Sequence, residues 1–116
     1  MRYLCLIYRE EEAVESLSRP QLDALVREAV AYDDALRESG HYLASAALQS
    51  AQTATTVRIR DGKTLATDGP FAETKEHLAG FILIEARDLD DALRVASSIP
   101  PARLGCVEVR PVRELR

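Results

Sequence analysis

Two short runs of the chain, residues 2–8 and 78–86, are apolar at nearly every position, and they restrict the fold more than any other feature. Each run is too short for a typical helix, and charged residues or turn formers flank it, so each predicts a β-strand. A strand with apolar side chains on both faces belongs in a sheet that is covered on both sides. The fold must therefore supply cover for two faces of one sheet.

Two amphipathic helices are available to cover the first face. The first starts after Ser18, where Gln21 completes a capping box, and stops at Gly40, which favours the left-handed backbone of a helix end. The second starts after Asp88 and stops before Pro100. In both helices the apolar residues recur with the 3.6-residue period of a helix that packs one stripe against a core.

Further strands are predicted at residues 41–48 and 106–112, and the acidic segment 9–15 is predicted as a loop. Residues 55–67 contain two short runs around an Asp-Gly pair, which favours the positive φ angles of a tight hairpin turn. The order is therefore β-α-β, hairpin, β-α-β. Two split βαβ halves predict an α+β fold: a ferredoxin-like sandwich with an inserted β-hairpin, whose helices cover one face of a four-stranded antiparallel sheet.

The second face of the sheet needs a different cover, since both helices are used on the first. A second copy of the same sheet is the simplest cover, so a homodimer built face to face is predicted, with the hairpin reaching toward the partner. The length of 116 residues suits a single domain, residues 1–116, and a 47% share of hydrophobic residues is enough for a substantial core.

Composition and charge argue against several classes of function. The net charge is −4 and no cluster of lysine and arginine forms a phosphate-binding surface, so a nucleic-acid partner is not expected. No apolar run approaches the ~18 residues of a membrane helix, and the N-terminal segment does not resemble a signal peptide, so a cytoplasmic protein with no membrane partner is expected. Cys5 and Cys106 lie in apolar strands and are predicted to be buried, reduced thiols.

The segment between the hairpin and the 78–86 strand concentrates ionisable groups. Asp68, Glu73, Lys75 and His77 are therefore candidates for binding a small polar or anionic metabolite. If residues 72–77 form one helical turn, Glu73 and His77 share a side of it. The alternative interpretation is structural, in which Asp68 makes a turn with the following Gly-Pro pair and the other groups form a solvated charged loop.

Asp33 and His41 are the candidate catalytic residues. At ~100° per residue, Asp33 falls within the apolar stripe of the first helix, where an unpaired carboxylate is costly to bury. His41 starts the next strand and carries the side chain that titrates nearest neutral pH. The alternatives are a buried structural ion pair for Asp33 and a surface position for His41. Tyr8 and Ser45 are candidate substrate-binding hydroxyls, and the sequence predicts that Asp33, His41 and segment 68–77 face one cavity.

Nine residues, DGPFAETKE at positions 68–76, resemble the signature of the DGPF branch of the YCII-related family. The segments MRYLCLIY, SGHYLASAAL and VEVRPV resemble the same branch, so the resemblance covers nearly the whole chain. It implies the fold of the dimeric α+β barrels, a group that includes small-molecule isomerases and monooxygenases, and it implies no particular reaction. Some YCII-like relatives carry a catalytic histidine on the first helix, paired with an aspartate. This chain has no histidine between Arg19 and Gly40, so that dyad is not carried over.

The leading hypothesis is a small enzyme that acts on a polar metabolite by acid–base chemistry, without a cofactor, in a cleft between the sheet and the helices. The histidines and cysteines lack metal-ligand spacing, and there is no glycine-rich phosphate loop or serine nucleophile motif. No metal or cofactor is therefore expected. Two alternatives remain open: a non-catalytic homodimer that binds or senses a small molecule, and a protein-interaction module.

Overall fold

A computed structural model describes residues 1–115 of the chain and shows a mixed α+β architecture, which confirms the predicted fold class. The longest helix begins at the predicted capping box, where Ser18 and Gln21 each accept a hydrogen bond from the other's backbone N–H group. In chain order the elements are β1 (Arg2–Arg9), α1 (Glu11–Glu15), α2 (Arg19–Glu38), β2 (Tyr42–Ala47), β3 (Thr55–Arg60), β4 (Lys63–Asp68), β5 (His77–Glu85), α3 (Leu89–Ala96) and β6 (Gly105–Pro111), with 3-10 turns at Ala51–Thr53 and Pro100–Leu104.

The main sheet is four-stranded and antiparallel, in the order β2-β5-β1-β6, so the two long apolar runs form its two central strands. Helices α2 and α3 pack onto one face of this sheet and bury Leu36 and Ala92 against it. Because side chains alternate along a strand, the register places these residues together on that face: Tyr3, Cys5 and Ile7 of β1 with Gly80, Ile82 and Ile84 of β5. We refer to it as the core face.

The opposite face of the sheet is also apolar along its two central strands, and neither α2 nor α3 covers it. Its residues on these strands are partly exposed: Leu4, Leu6 and Tyr8 of β1 with Phe81 and Leu83 of β5. On β6, Glu108 and Arg110 form an ion pair beside this surface. The face therefore has an apolar centre and a charged margin, and we refer to it as the open face.

The hairpin forms a second, separate sheet from β3 and β4. Its turn has positive φ angles at Asp61 (53°) and Gly62 (74°), which confirms the predicted turn chemistry. Val57 and Ile59 are 59% and 67% exposed, so the hairpin has little packing of its own. The radius of gyration is 16.0 Å, whereas a compact chain of this length has about 13 Å. The hairpin is thus an arm that extends from the main sheet.

The acidic segment 9–15 contains a short helix, α1, so its prediction as a loop was wrong. Glu11 and Glu12 lie in the first turn, where carboxylates interact favourably with the helix dipole. Glu11 also accepts hydrogen bonds from the Ser50 hydroxyl and the Ala51 backbone N–H, which lower its pKa and tie α1 to the end of β2. Local charge patterning alone did not reveal this long-range contact.

Residues 72–77 form no helical turn, since the Thr74 hydroxyl donates a hydrogen bond to the Glu76 carbonyl and β5 already starts at His77. The condition under which Glu73 and His77 would share a side is therefore not met. The prediction that both cysteines are buried was wrong for one of them. Cys5 is fully buried as expected, but Cys106 is exposed, and its thiol lies 3.5 Å from a Glu76 carboxylate oxygen. Cys106 pairs with Tyr8 in the register, so it belongs to the open face.

Candidate functional site

A cleft of about 310 Å³ separates the first half of α2 from the core face of the sheet. Its lining is mostly aliphatic and includes Leu22, Val26 and Val30 of α2, opposite Ile7 and Ile82 of the central strands. Val26 and Val30 belong to the apolar stripe of the helix, yet they are 53% and 57% exposed. Tyr32 and the buried Leu36, in the second half of α2, belong to the core, whereas Leu25 in the first half is buried outside that cluster. The helix therefore leaves open a space that its own sequence is suited to fill.

Asp33 is the acidic residue in the wall of this cleft, and it is half-buried. The Ser45 hydroxyl of β2 donates a hydrogen bond to its carboxylate over 3.2 Å, and the Tyr42 hydroxyl lies 2.7 Å from the Ser45 oxygen. The three side chains form a hydrogen-bonded chain from the sheet to the helix. A carboxylate can accept about four hydrogen bonds, so Asp33 retains capacity to exchange a proton with a ligand in the cleft.

Arg9 lies at one end of the cleft, where a second cavity of about 210 Å³ adjoins it. The two cavities share Arg9, Val14 and Ala79 in their linings. Burial lowers the pKa of the Arg9 guanidinium, and its Nε atom is enclosed without a hydrogen-bond partner. Within residues 1–115, no carboxylate lies within 4.0 Å of this guanidinium. The cleft thus has one cationic end and one acidic wall.

The predicted substrate-binding residues do not all face this cleft. Ser45 does, and His77 lines the adjoining second cavity. The other four lie elsewhere. Lys75 pairs with Glu10 over 3.3 Å, and Glu73 is exposed. Asp68 ends β4 opposite Thr55, and Tyr8 belongs to the open face.

His41 lies in a third cavity, of about 500 Å³, at the start of β2. Its Nε2 atom is 3.1 Å from an Asp91 carboxylate oxygen, and its Nδ1 atom is 2.7 Å from the Ser39 hydroxyl. Asp91 is only 3% exposed. The backbone N–H of Arg87, then the Arg94 guanidinium and His41, hold the pKa of Asp91 well below its usual range. Asp91 is therefore buried and fully partnered, whereas the side chain of His41 is 22% exposed and borders the cavity.

The predicted single cavity around Asp33, His41 and segment 68–77 was wrong. Strands β2 and β5 are antiparallel, so the start of β2 lies beside the end of β5, where Tyr42 faces Ile84. Segment 68–77 precedes β5 and lies at the other end of the sheet. Asp33 contacts the middle of β2 through Ser45, between these two ends. The three features are spread along the sheet.

Two residues with unusual environments were missed from the sequence, Arg9 and Asp91. Asp91 has a local signal, because arginines stand at positions 87 and 94, four residues before it and three after it. The sequence signal at Arg9 is weaker. Arg9 lies two residues after Ile7 on the same strand, so both side chains point to the core face. A charged residue at that position needs a partner, and the sequence offers several acidic neighbours.

Comparisons with known proteins confirm the family to which the sequence resemblance points. The family model of the YCII-related domain matches residues 1–116. An uncharacterized protein of Rhizobium meliloti (strain 1021) is 37% identical over 114 residues, which are 97% of this chain and 92% of that relative. Within the described residues, no helix is long and apolar enough to cross a membrane. The same part of the chain holds no group of three or more metal-binding side chains.

Proposed function

The chain belongs to the YCII-related family, and we propose that it is a small enzyme that acts on a metabolite by acid–base chemistry in the cleft beneath α2, without a cofactor. One observation carries this proposal. The hydrogen-bonded chain from Tyr42 through Ser45 to Asp33 ends in a half-buried carboxylate on the wall of an otherwise aliphatic cavity. Cavities with apolar walls and a few directed polar groups are the usual form of small-molecule sites.

Asp33 is the general base or acid of this proposal, and Ser45 is its positioning residue. With one donor bound, the carboxylate can take a proton from a ligand carbon or oxygen that lies within hydrogen-bonding reach, about 3 Å. The aliphatic walls exclude water and hold the body of the ligand, so the ligand is less polar than the sequence alone predicted. His41 takes no step in this cleft, because it lies in a different cavity.

The scarcity of polar side chains in the cleft favours a second function, the non-catalytic binding or sensing of a small molecule. The cleft presents very few polar side chains, among them Arg9, Asp33 and Ser45. Binding an apolar ligand needs no more than this, and then no residue has to exchange a proton. The two functions share a ligand and differ only in whether the ligand is changed.

We also propose that the main sheet has the ferredoxin-like topology of the dimeric α+β barrels, in the DGPF branch suggested by residues 68–76. In a dimer of this kind, the open faces of two copies cover each other, and the hairpin arm contacts the partner. The support is the apolar centre of the open face and the exposed aliphatic residues of the arm. Sedimentation at micromolar concentration should give twice the 12.8 kDa of one chain, and a single-chain mass would contradict the dimer.

The test of the proposed enzyme uses the Asp33→Asn variant and deuterium exchange. Compounds that raise the melting temperature of the native chain are incubated with it in D2O, and proton exchange or product formation is followed by NMR and mass spectrometry. Loss of a general base should slow exchange by about 100-fold or more, while ligand binding persists because the apolar walls are unchanged.

Asp34→Asn is the matched control for this test. Asp34 is the next residue on α2, is exposed, and pairs with Arg37 over 2.7 Å, so its loss should leave exchange unchanged. Equal exchange in Asp33→Asn and the native chain would exclude Asp33 from the chemistry. Tight binding with no exchange and no product in the native chain would favour the sensing function.

A further inference from the structure

Arg9 has a half-buried, charged side chain to which the described residues give no ion-pair partner. It is the last residue of β1, and the alternation of the strand directs it to the core face, between the cleft and the second cavity. Its Nε atom has no hydrogen-bond partner, and residues 1–115 place no carboxylate within ion-pair distance. A guanidinium remains protonated at neutral pH, so this is a standing positive charge.

The acidic residues beside Arg9 are engaged elsewhere. Glu10 pairs with Lys75 over 3.3 Å, and Glu11 accepts hydrogen bonds from Ser50 and from the backbone of Ala51. A buried polar atom without a hydrogen-bond partner, such as Nε of Arg9, is costly, and buried polar groups in native proteins normally have a partner. Carboxylates are thus close to Arg9 in sequence, yet none of those described forms an ion pair with it. This points to a counter-charge from outside the chain.

We propose that the ligand of the cleft is an amphipathic monocarboxylate, whose carboxylate binds Arg9 while its apolar body lies between α2 and the sheet. This inference rests on the proposed function of the cleft and specifies its ligand. A planar guanidinium matches a carboxylate with two parallel hydrogen bonds. The aliphatic lining formed by Leu22, Val26 and Val30 matches the apolar body.

The surroundings of Arg9 favour one negative charge over two. The adjoining cavity also contains Glu11 and Glu15, so a dianionic phosphate at Arg9 would lie near two further carboxylates. Like charges at short range are unfavourable. A monoanion neutralises the single guanidinium and meets about half of this repulsion, and the head group is therefore a carboxylate and not a phosphate monoester.

The experiment compares acids with their uncharged amides on the full chain. The probes are benzoate with benzamide, and octanoate with octanamide, titrated while backbone amide signals are followed by 1H–15N NMR. The native chain should bind each acid about 10- to 100-fold more tightly than its amide, as expected for a charge-assisted pair of hydrogen bonds. The shifts should fall on cleft residues such as Leu22 and Ile82. Octyl phosphate should bind more weakly than octanoate.

Arg9→Gln should remove the preference for acids, while Arg9→Lys should keep part of it. Arg19→Gln is the matched control, because Arg19 is an exposed arginine paired with Asp23, away from the cleft lining. A second readout is thermal: Arg9→Met should melt at a higher temperature than the native chain without ligand, and benzoate should stabilise only the native chain. This readout remains available if Arg9→Gln folds poorly.

The outcomes separate this inference from the proposed function. Equal affinity for acid and amide, tighter binding of octyl phosphate, or an acid preference that survives in Arg9→Gln would overturn the carboxylate at Arg9. Each of these leaves Asp33-dependent exchange in the cleft standing. An absence of shifts at cleft residues with every probe would overturn both.

Discussion

Asp33 and Asp91 are both helix carboxylates close to the same sheet, and the chain surrounds them in opposite ways. Asp91 is enclosed and is satisfied by the Arg87 backbone, the Arg94 guanidinium and His41. Asp33 has one donor, Ser45, and otherwise borders a cavity. A carboxylate whose acceptor positions are all occupied holds structure together, whereas one with free positions beside a cavity can bind or react. Under the proposed function, burial alone would rank the two acids in the wrong order as functional candidates.

The difference also has a sequence origin. Two partners of Asp91, Arg87 and Arg94, come from its own stretch of chain, and the third, His41, lies 50 residues away in sequence. The partner of Asp33 comes from β2 and meets it only when helix and sheet pack. The Asp91 site is therefore mostly local, whereas the Asp33 site depends on the packing of helix against sheet.

The largest expected effect is on stability, and it falls on Asp91. Asp91→Asn removes the counter-charge of the Arg94 guanidinium and weakens the hydrogen bond to His41 in an enclosed site, so the melting temperature of this variant should fall by about 5 °C or more. Asp33→Asn should change it by less than about 2 °C, because only one hydrogen bond is altered. Differential scanning calorimetry measures both, with the exposed neighbour variant Asp90→Asn as the control. A larger loss in Asp33→Asn than in Asp91→Asn would reverse the comparison.

The pH dependence of stability gives a smaller and more specific effect. The folded pKa of Asp91 lies well below its usual range, and the unfolded value is about 3.9. The stabilising contribution of its ionised form is therefore complete above that unfolded value and is lost as the pH falls toward the folded one. Urea unfolding of the native chain and Asp91→Asn between pH 5 and pH 2.5 should show the two stabilities converging on acidification. Parallel curves would contradict the assignment of this shift to Asp91.

The smallest expected effect distinguishes Ser45, which donates a hydrogen bond to Asp33, from Ser39, whose hydroxyl lies beside His41. Ser45→Ala should lower kcat about 10-fold with little change in KM, because Asp33 loses its orienting donor while the walls that bind the ligand are intact. Ser39→Ala removes the hydroxyl beside His41 and should leave both constants unchanged. Each variant should lose about 1 kcal/mol of stability or less. An equal fall in kcat for both variants would show that the two sites are coupled.

Much of the fold could be predicted because its signals are local. The capping box at Ser18, the Asp61-Gly62 turn and the two apolar strands each follow from a few neighbouring residues. The short helix α1 was missed because its anchor, the end of β2, lies about 40 residues away in sequence. Long-range contacts of this kind leave no local pattern.

The candidate site could be predicted only in part. Asp33 stood out because a carboxylate interrupts an apolar stripe, and the structure places it beside a cavity. The predicted meeting of Asp33, His41 and segment 68–77 was already in conflict with the predicted topology, since neighbouring antiparallel strands put the start of one beside the end of the other. The missing partner of Arg9 could not be predicted from the sequence, because it depends on where every nearby carboxylate lies in the fold.

The two cysteines, one enclosed and one exposed, give the chain a built-in chemical reporter. A sulfhydryl reagent can reach Cys106 and not Cys5 in the folded state. Partial desolvation and the neighbouring Glu76 raise the pKa of the Cys106 thiol, so its alkylation is slow at neutral pH and accelerates in alkali. A bulky maleimide at that position would project from the open face, the surface proposed for self-association. Labelled chains should then fail to dimerise, and dimeric chains should resist labelling.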